Sequence, residues 1–338
     1  MAAAPIGAES GYSDADWISM GPGVAGTNGM VKAMVHESGS LYAGGSFTVA
    51  GGTLASSIAR WDGSTWHALG SGIHGNVSAM VFSGGQLYVA GSFSMAGGLP
   101  ANNVARWDGT AWHAMGSGTN DMVDTLEIYG GVLHAAGPFV TAGGISSPYL
   151  AKWNGSAWEA FGPAPDKRVM DLQQVGNDLY ACGYLSSAGG VSTPGVARWN
   201  GSAWSGLGTT QSFTNSYSRL GTDGVNLFVA GSFTMSLGDH VAAYNLAKWN
   251  GSSWSRMGSG LSYVDEFVMH QGQLHAVGSG FPELGGIAKW DGNSWNRGAA
   301  GSVENPHTFA SGGGRLFVGG SFKKAGDTHA ESIASYNG

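Results

Sequence analysis

The chain is poor in several things that would have named a function quickly. It has one cysteine in 338 residues, which excludes a disulfide framework and any cysteine-rich zinc site. Only 11% of residues are charged, with a net charge of -7, so the clustered Lys and Arg that phosphate contacts require are missing and nucleic acid is not an expected partner. Proline numbers only 10 and glycine does not recur every third residue, which removes collagen. No apolar run approaches the ~18 residues of a membrane-spanning helix. At 42% hydrophobic and 11% aromatic, the chain can bury enough surface to fold. What is abundant is glycine, 60 residues, and tryptophan, 13 residues. That combination calls for a search for internal repeats.

A Trp-(Asp/Asn)-Gly tripeptide begins at Trp61, Trp107, Trp153, Trp199, Trp249 and Trp290, with Tyr336 as a seventh variant, in steps of 46, 46, 46, 50, 41 and 46 residues. Each tripeptide leads to a second tryptophan, at Trp66, Trp112, Trp158, Trp204, Trp254 and Trp295. The seventh partner is found at the N-terminus as Trp17, which accounts for all 13 tryptophans as scaffold. One unit carries four strand signals: A over Val77–Phe82, B over Leu87–Phe93, C over Val104–Trp107, and D opening at Trp112. Ser83-Gly84-Gly85 and Asp108-Gly109 are turn signals, the second a strong hairpin. Four antiparallel strands repeated seven times predict an all-β, seven-bladed propeller in which an N-terminal outer strand completes the last blade and closes the ring. Residues 1–15 are expected to be an extension, and 16–338 a single propeller domain.

The unit Gly-Ser-Phe…Ala-Gly-Gly…Ala-(Arg/Lys)-Trp-(Asp/Asn)-Gly…Trp…Gly resembles the kelch-like repeats of fungal cortical cell-polarity markers and of bacterial surface propellers. The resemblance implies that strand A lies innermost at the channel and strand D outermost. It implies too that the B–C and D–A loops share the binding face.

The blades serve as controls on one another. Counting from the leucine that opens strand B, the seventh residue before it is apolar in all blades (Met34, Met80, Leu126, Leu172, Leu220, Phe267, Phe309), and the fourth after it is always glycine, as at Gly45 and Gly91. His134 and His275 occupy a slot held elsewhere by Tyr42, Tyr88, Tyr180, Phe228 and Phe317, so they read as packing residues. Cys182 reads as a buried inert thiol, and His67 and His113 as solvated or capping residues of the outer rim. The blades disagree at the start of strand A. Nine before the leucine stand Lys32, Ser78, Asp124, Met170, Ser218, Asp265 and His307; eight before stand Ala33, Ala79, Thr125, Asp171, Arg219, Glu266 and Thr308. With Arg168, these put an unusual share of the charge around one channel mouth, where it must be paired or bound to something. Cross-blade ion pairs and a ligand site are both open. Serines ending strand B (Ser46, Ser92, Ser232, Ser279, Ser321) either line the mouth or cap loops. A long B–C loop in blade 5, around His240, beside a short one in blade 6 suggests a notch, with Tyr217 and Tyr263 opening the adjacent A strands and Tyr184 ending strand B of blade 4.

The expected function is a binding propeller that recognises a protein segment, or a glycan or small molecule, on its B–C and D–A loop face. Its ligand residues would be Arg168, Asp171, Tyr184, Tyr217, Arg219, His240, Tyr263, Asp265, Glu266 and His307. The alternative is an acid–base enzyme, a hydrolase or lyase with a saccharide as one candidate substrate, using Asp171, Arg219, Asp265, Glu266 and His307. No nucleophile elbow or metalloprotease helix supports it. A calcium ion among Asp124, Asp171 and Asp265 is a weaker option. Three Asn-Gly-Ser sequons, at Asn154, Asn200 and Asn250, fall in C–D turns and follow from turn chemistry. Met1-Ala2-Ala3-Ala4-Pro5 shows no signal peptide. A monomeric extracellular or cell-surface domain, without membrane insertion, is the expectation.

Overall fold

The repeat closes on itself. A computed structural model describes residues 16–20, 26–208, 211–212, 219–236, 242–299 and 301–337; the expected extension, residues 1–15, lies outside them. Blade 1 is built from Met30–Glu37, Ser40–Ser46, Ile58–Trp61 and Trp66–Ala68, hydrogen-bonded in that order, and blades 2 to 6 repeat the pattern. Blade 7 takes strands A to C from Pro306–Gly312, Arg315–Gly320 and Ile333–Tyr336, and its outer strand from Trp17–Ser19, which pairs antiparallel with the last of these. Strands A of successive blades touch all the way round, including blade 7 against blade 1. The molecule is an all-β, seven-bladed propeller, with strand A lining the channel and strand D outermost.

Alternation decides where the core sits. Each blade turns one face to its predecessor and the other to its successor, so the apolar clusters lie in the seams. Tyr42, Ile58 and Ala33 of blade 1 pack with Val77, Leu87, Val89 and Trp112 of blade 2. The tryptophans also staple seams by hydrogen bonds: the indole N–H of Trp66, Trp112, Trp158, Trp204 and Trp254 donates to the carbonyls of Met20, Leu69, Met115, Pro163 and Leu207 in the preceding blade, at 2.7–2.9 Å. In each C–D turn an Asp or Asn carboxyl or amide oxygen accepts the N–H groups two and three residues on, as Asp62 does from Ser64 and Thr65 and Asn200 from Ser202 and Ala203. His67 and His113 join these caps, each 2.6 Å from the turn carboxylate of Asp62 or Asp108.

One feature of the inner strand was not legible in the repeat. In blades 1, 2, 4, 6 and 7 the pairing of strands A and B slips by one residue at Lys32, Ser78, Met170, Asp265 and His307. These are β-bulges, which re-aim side chains. They account for the recurrent glycine opposite: a Cβ on Gly91 would strike the Asn76 carbonyl, and one on Gly45 the Met30 carbonyl. In blades 1, 2, 6 and 7 the bulged residue and the one after it both border the channel: Lys32 and Ala33, Ser78 and Ala79, Asp265 and Glu266, His307 and Thr308.

The loops follow the topology. Residues of the D–A loops bridge to the B–C ribbons at Thr27–Ala50, Thr119–Ala142, Pro165–Ala188 and Val303–Ala325, so the two sets share one face. In blade 6 glycine, Gly280, stands where spacing from the strand B leucine puts phenylalanine in blades such as 1 and 2 (Phe47, Phe93), yet the blade keeps a loop phenylalanine. Phe281 is fully buried one position later, and a short turn at Pro282–Leu284 follows it.

Candidate functional site

The channel mouth is a cavity of about 220 Å³ bordered by residues from every blade, among them Lys32, Asp124, Asp171, Arg219, Glu266 and His307. Much of its charge is spent between blades. Arg168 of blade 4 grips Asp124 of blade 3 bidentately, Nε to Oδ2 and Nη2 to Oδ1, both at 2.7 Å. His307 Nδ1 of blade 7 lies 3.1 Å from Asp265 Oδ2 of blade 6. Asp171 of blade 4 accepts from the Thr125 hydroxyl of blade 3 (3.0 Å) and from the Leu220 N–H of blade 5 (2.9 Å). Glu266 of blade 6 accepts from the Phe309 N–H of blade 7 at 2.9 Å.

Glu127, absent from the sequence-derived set, belongs with them. It accepts from the Gln174 N–H of the next blade at 2.8 Å. The signal was present: Val35, Val81, Val268 and Ala310 hold its slot in other blades.

Burial is the main influence on all three carboxyls. It pushes Glu127 and Glu266 up to about 7, with the Asp171 charge adding to the effect and the accepted N–H bonds opposing it. Asp171 is also pushed up by burial, against the charge of Arg219 and its hydrogen bonds to Leu220, Thr125 and Leu172.

Other residues at the mouth keep capacity. Arg219 uses Nε to donate to the Asp265 carbonyl at 2.8 Å, and its terminal nitrogens make no ion pair among the described residues. Lys32 of blade 1 is exposed on the same channel wall. Tyr184 and Tyr263 stand 44% and 69% exposed on the loop face. Tyr263 does so with φ at 48°, a region non-glycine residues seldom occupy. The serines that end strand B, including Ser46 and Ser92, are exposed and cap nothing among the described residues. Tyr217 and His240 lie outside those residues, as does most of the long blade 5 loop.

One expectation is corrected. Asp124, Asp171 and Asp265 do not converge as calcium ligands: each is held by a different neighbour, and no described group of three or more His, Cys, Asp or Glu could hold a metal. His134 and His275 are buried at 3% and 4%, and burial lowers both to about 4, as packing residues. Cys182 is fully buried.

Fold and mouth together define a seven-bladed β-propeller with a polar channel and a loop-bearing face. Residues 18–177 match the family model of the Rax2 C-terminal beta propeller domain, in keeping with the resemblance of the repeats to those of cell-polarity markers. No curated protein matches the chain. Among solved structures, the extracellular domain of the one-component system BT4673 of B. thetaiotaomicron is similar at 10% identity and TM-score 0.59, over 95% of this chain and 39% of that one. The chain thus spans well under half of that protein. The computationally designed Ika8 protein is similar at 10% identity and TM-score 0.56, over 94% of this chain and 98% of that one. YjhT is similar at 14% identity and TM-score 0.50, over 81% and 99%. At these identities the likeness concerns the fold alone.

Proposed function

We propose that this propeller is a binding module, and that the face formed by its B–C and D–A loops holds an extended protein segment whose polar end reaches the channel mouth. The observation that carries this reading is a series of exposed apolar side chains on the B–C ribbons. Leu99, Ile145 and Val191 stand at the same repeat position in blades 2, 3 and 4, exposed by 53%, 42% and 42%, and Leu54 of blade 1 is 80% exposed. Exposed apolar groups recurring on one face are a common mark of an interaction surface. Arg219, whose terminal nitrogens make no hydrogen bond or ion pair with a described residue, supplies a polar anchor at the mouth. A glycan is the other ligand this face could take.

Catalysis has less support. Glu266 ionises near neutrality, as a general acid would, but it and Asp171 are already engaged with backbone N–H groups of the next blade. We read the protein as acting outside the cell or at its surface, as a single propeller domain over 16–338. No helix among the described residues is long and apolar enough to cross a membrane.

Selection of a random peptide display library, with a glycan array alongside, tests the reading. Peptides should be enriched on the wild type, weakened by Leu99→Ser with Ile145→Ser, and lost with Arg219→Ala plus Tyr263→Ser. Undiminished capture by the second variant would overturn it.

A further inference from the structure

A second cavity, about 310 Å³, opens in the seam between blades 5 and 6. Its rim comes from the A–B hairpins and a C–D turn, so it lies on the face opposite the B–C loops. Six of its bordering residues matter here: Lys248, Trp290, Gln273, Asp223, Asp291 and Phe228.

The origin of the cavity is local. Strand C carries a cation just before its tryptophan in each of blades 1 to 6, and in blade 5 that cation, Lys248, shares the cavity with Trp290 of blade 6. In blades 2 and 4 that cation is tied to the residue just before the strand B leucine: Arg106 to Gln86 at 2.6 Å, and Arg198 to Asp178 at 2.8 Å. In blade 3 Lys152 is tied to Glu159 at 3.1 Å. Blade 5 differs because its hairpin is built on Asp223. That carboxylate accepts the Val225 and Asn226 N–H groups and draws in the Asn226 side chain at 2.8 Å. Asn226 holds the place of Gln86 and Asp178, so Lys248 loses its acceptor. Its ammonium makes no hydrogen bond or ion pair with a described residue, and it borders the opening.

We propose that this seam is a binding site for one ring of a neutral saccharide. Trp290 is half-buried and fixed by its tilted contact with Trp295, 5.2 Å between ring centroids, so it offers a preset apolar surface to a pyranose ring. Lys248 supplies a donor, and the Gln273 amide both donates and accepts. Asp223 Oδ2, which takes only the Asn226 amide, keeps a lone pair for a hydroxyl, whereas Asp291 is engaged by its own turn and contributes its charge. The mixture selects against ions. An anion would meet two carboxylates and a cation would meet Lys248, whereas a polyol uses both kinds of group. The volume falls at the small end of ligand pockets, which start at roughly 300 Å³, and suits one ring with further sugars left in solvent. Trp290 belongs to the scaffold and the site borrows it.

Saturation-transfer NMR on the folded chain is the test. The probes are methyl glycosides of glucose, galactose, mannose and N-acetylglucosamine, with methyl glucuronide and tetramethylammonium as charged comparisons. At least one neutral glycoside should receive saturation, and its affinity should fall roughly tenfold in Lys248→Met, as the loss of one charged hydrogen bond implies. Gln273→Ala should weaken it too, and Arg219→Ala on the other face should not. Lys248→Met keeps the aliphatic stem packed, and Gln273 is exposed, so both variants should melt as the wild type does. No transfer to any neutral glycoside, transfer unchanged by Lys248→Met, transfer abolished by Arg219→Ala, or preference for a charged probe would each overturn the proposal.

Discussion

The Asp171 carboxylate of blade 4 accepts a 2.9 Å hydrogen bond from the Leu220 backbone N–H of blade 5. Glu266 repeats the arrangement two blades on, with the N–H of Phe309, the residue that corresponds to Leu220 in blade 7. A carboxylate of one inner strand thus fastens the inner strand of the next. Asp171→Ala should therefore destabilise the fold by about 1–3 kcal/mol, the cost of leaving a shielded N–H without its partner. Chemical denaturation measures it, and Asp171→Asn, which retains an acceptor oxygen, should lose less.

These same carboxyls make stability depend on pH. Glu127 and Glu266 ionise at about 7 in the folded chain against an ordinary 4.5. Between those values the folded protein holds more protons than the unfolded one, so their contribution is intact below 4.5 and stability falls as pH rises toward 7. Replacing both by Gln should stabilise the protein above neutrality, by up to about 3 kcal/mol per site, and make little difference in acid. Urea midpoints of wild type and double variant across the range give the comparison.

The buried imidazoles work in the opposite direction. Burial holds His134 and His275 at about 4 instead of 6.5. The unfolded chain therefore binds protons first on acidification, and stability is lost as pH falls from 6.5 toward 4. Tyrosine occupies this slot in blades 1, 2 and 4. His134→Tyr with His275→Tyr should remove much of the acid sensitivity while leaving stability near neutrality little changed, as thermal melts at both ends of the range will report.

Closure of the ring rests on Trp17. Its side chain is 4% exposed and packs 5.0 Å from the Tyr336 ring, joining residues at opposite ends of the chain. Trp17→Ala should cost about 3–5 kcal/mol, as for other buried tryptophans. Because it weakens the strand that covers the edge of blade 7, it should also promote association between copies. Denaturation and light scattering read the two effects separately.

Within any one repeat, the chain itself settles a great deal. Asp62 or Asn200 in a C–D turn, Gly97 with φ of 62° against Trp112, and alternation along strand B act over a few residues, so their meaning is visible in the sequence. Seven copies of that local chemistry determine the blade count, the strand order and the scaffold role of the tryptophans. The channel could be located in this way but not understood. The partners of Asp171 are Thr125, 46 residues earlier, and Leu220, 49 later, and the bulges that bring them together leave little trace in composition. Glu127 was overlooked, and Asn226 turns to Asp223 rather than to Lys248, whose ammonium has no partner among the described residues. The ring was fixed by short-range turn and strand preferences. What each charged side chain touches was decided by blades meeting across seams, where neighbours lie a full repeat apart and small changes in one hairpin redirect the next.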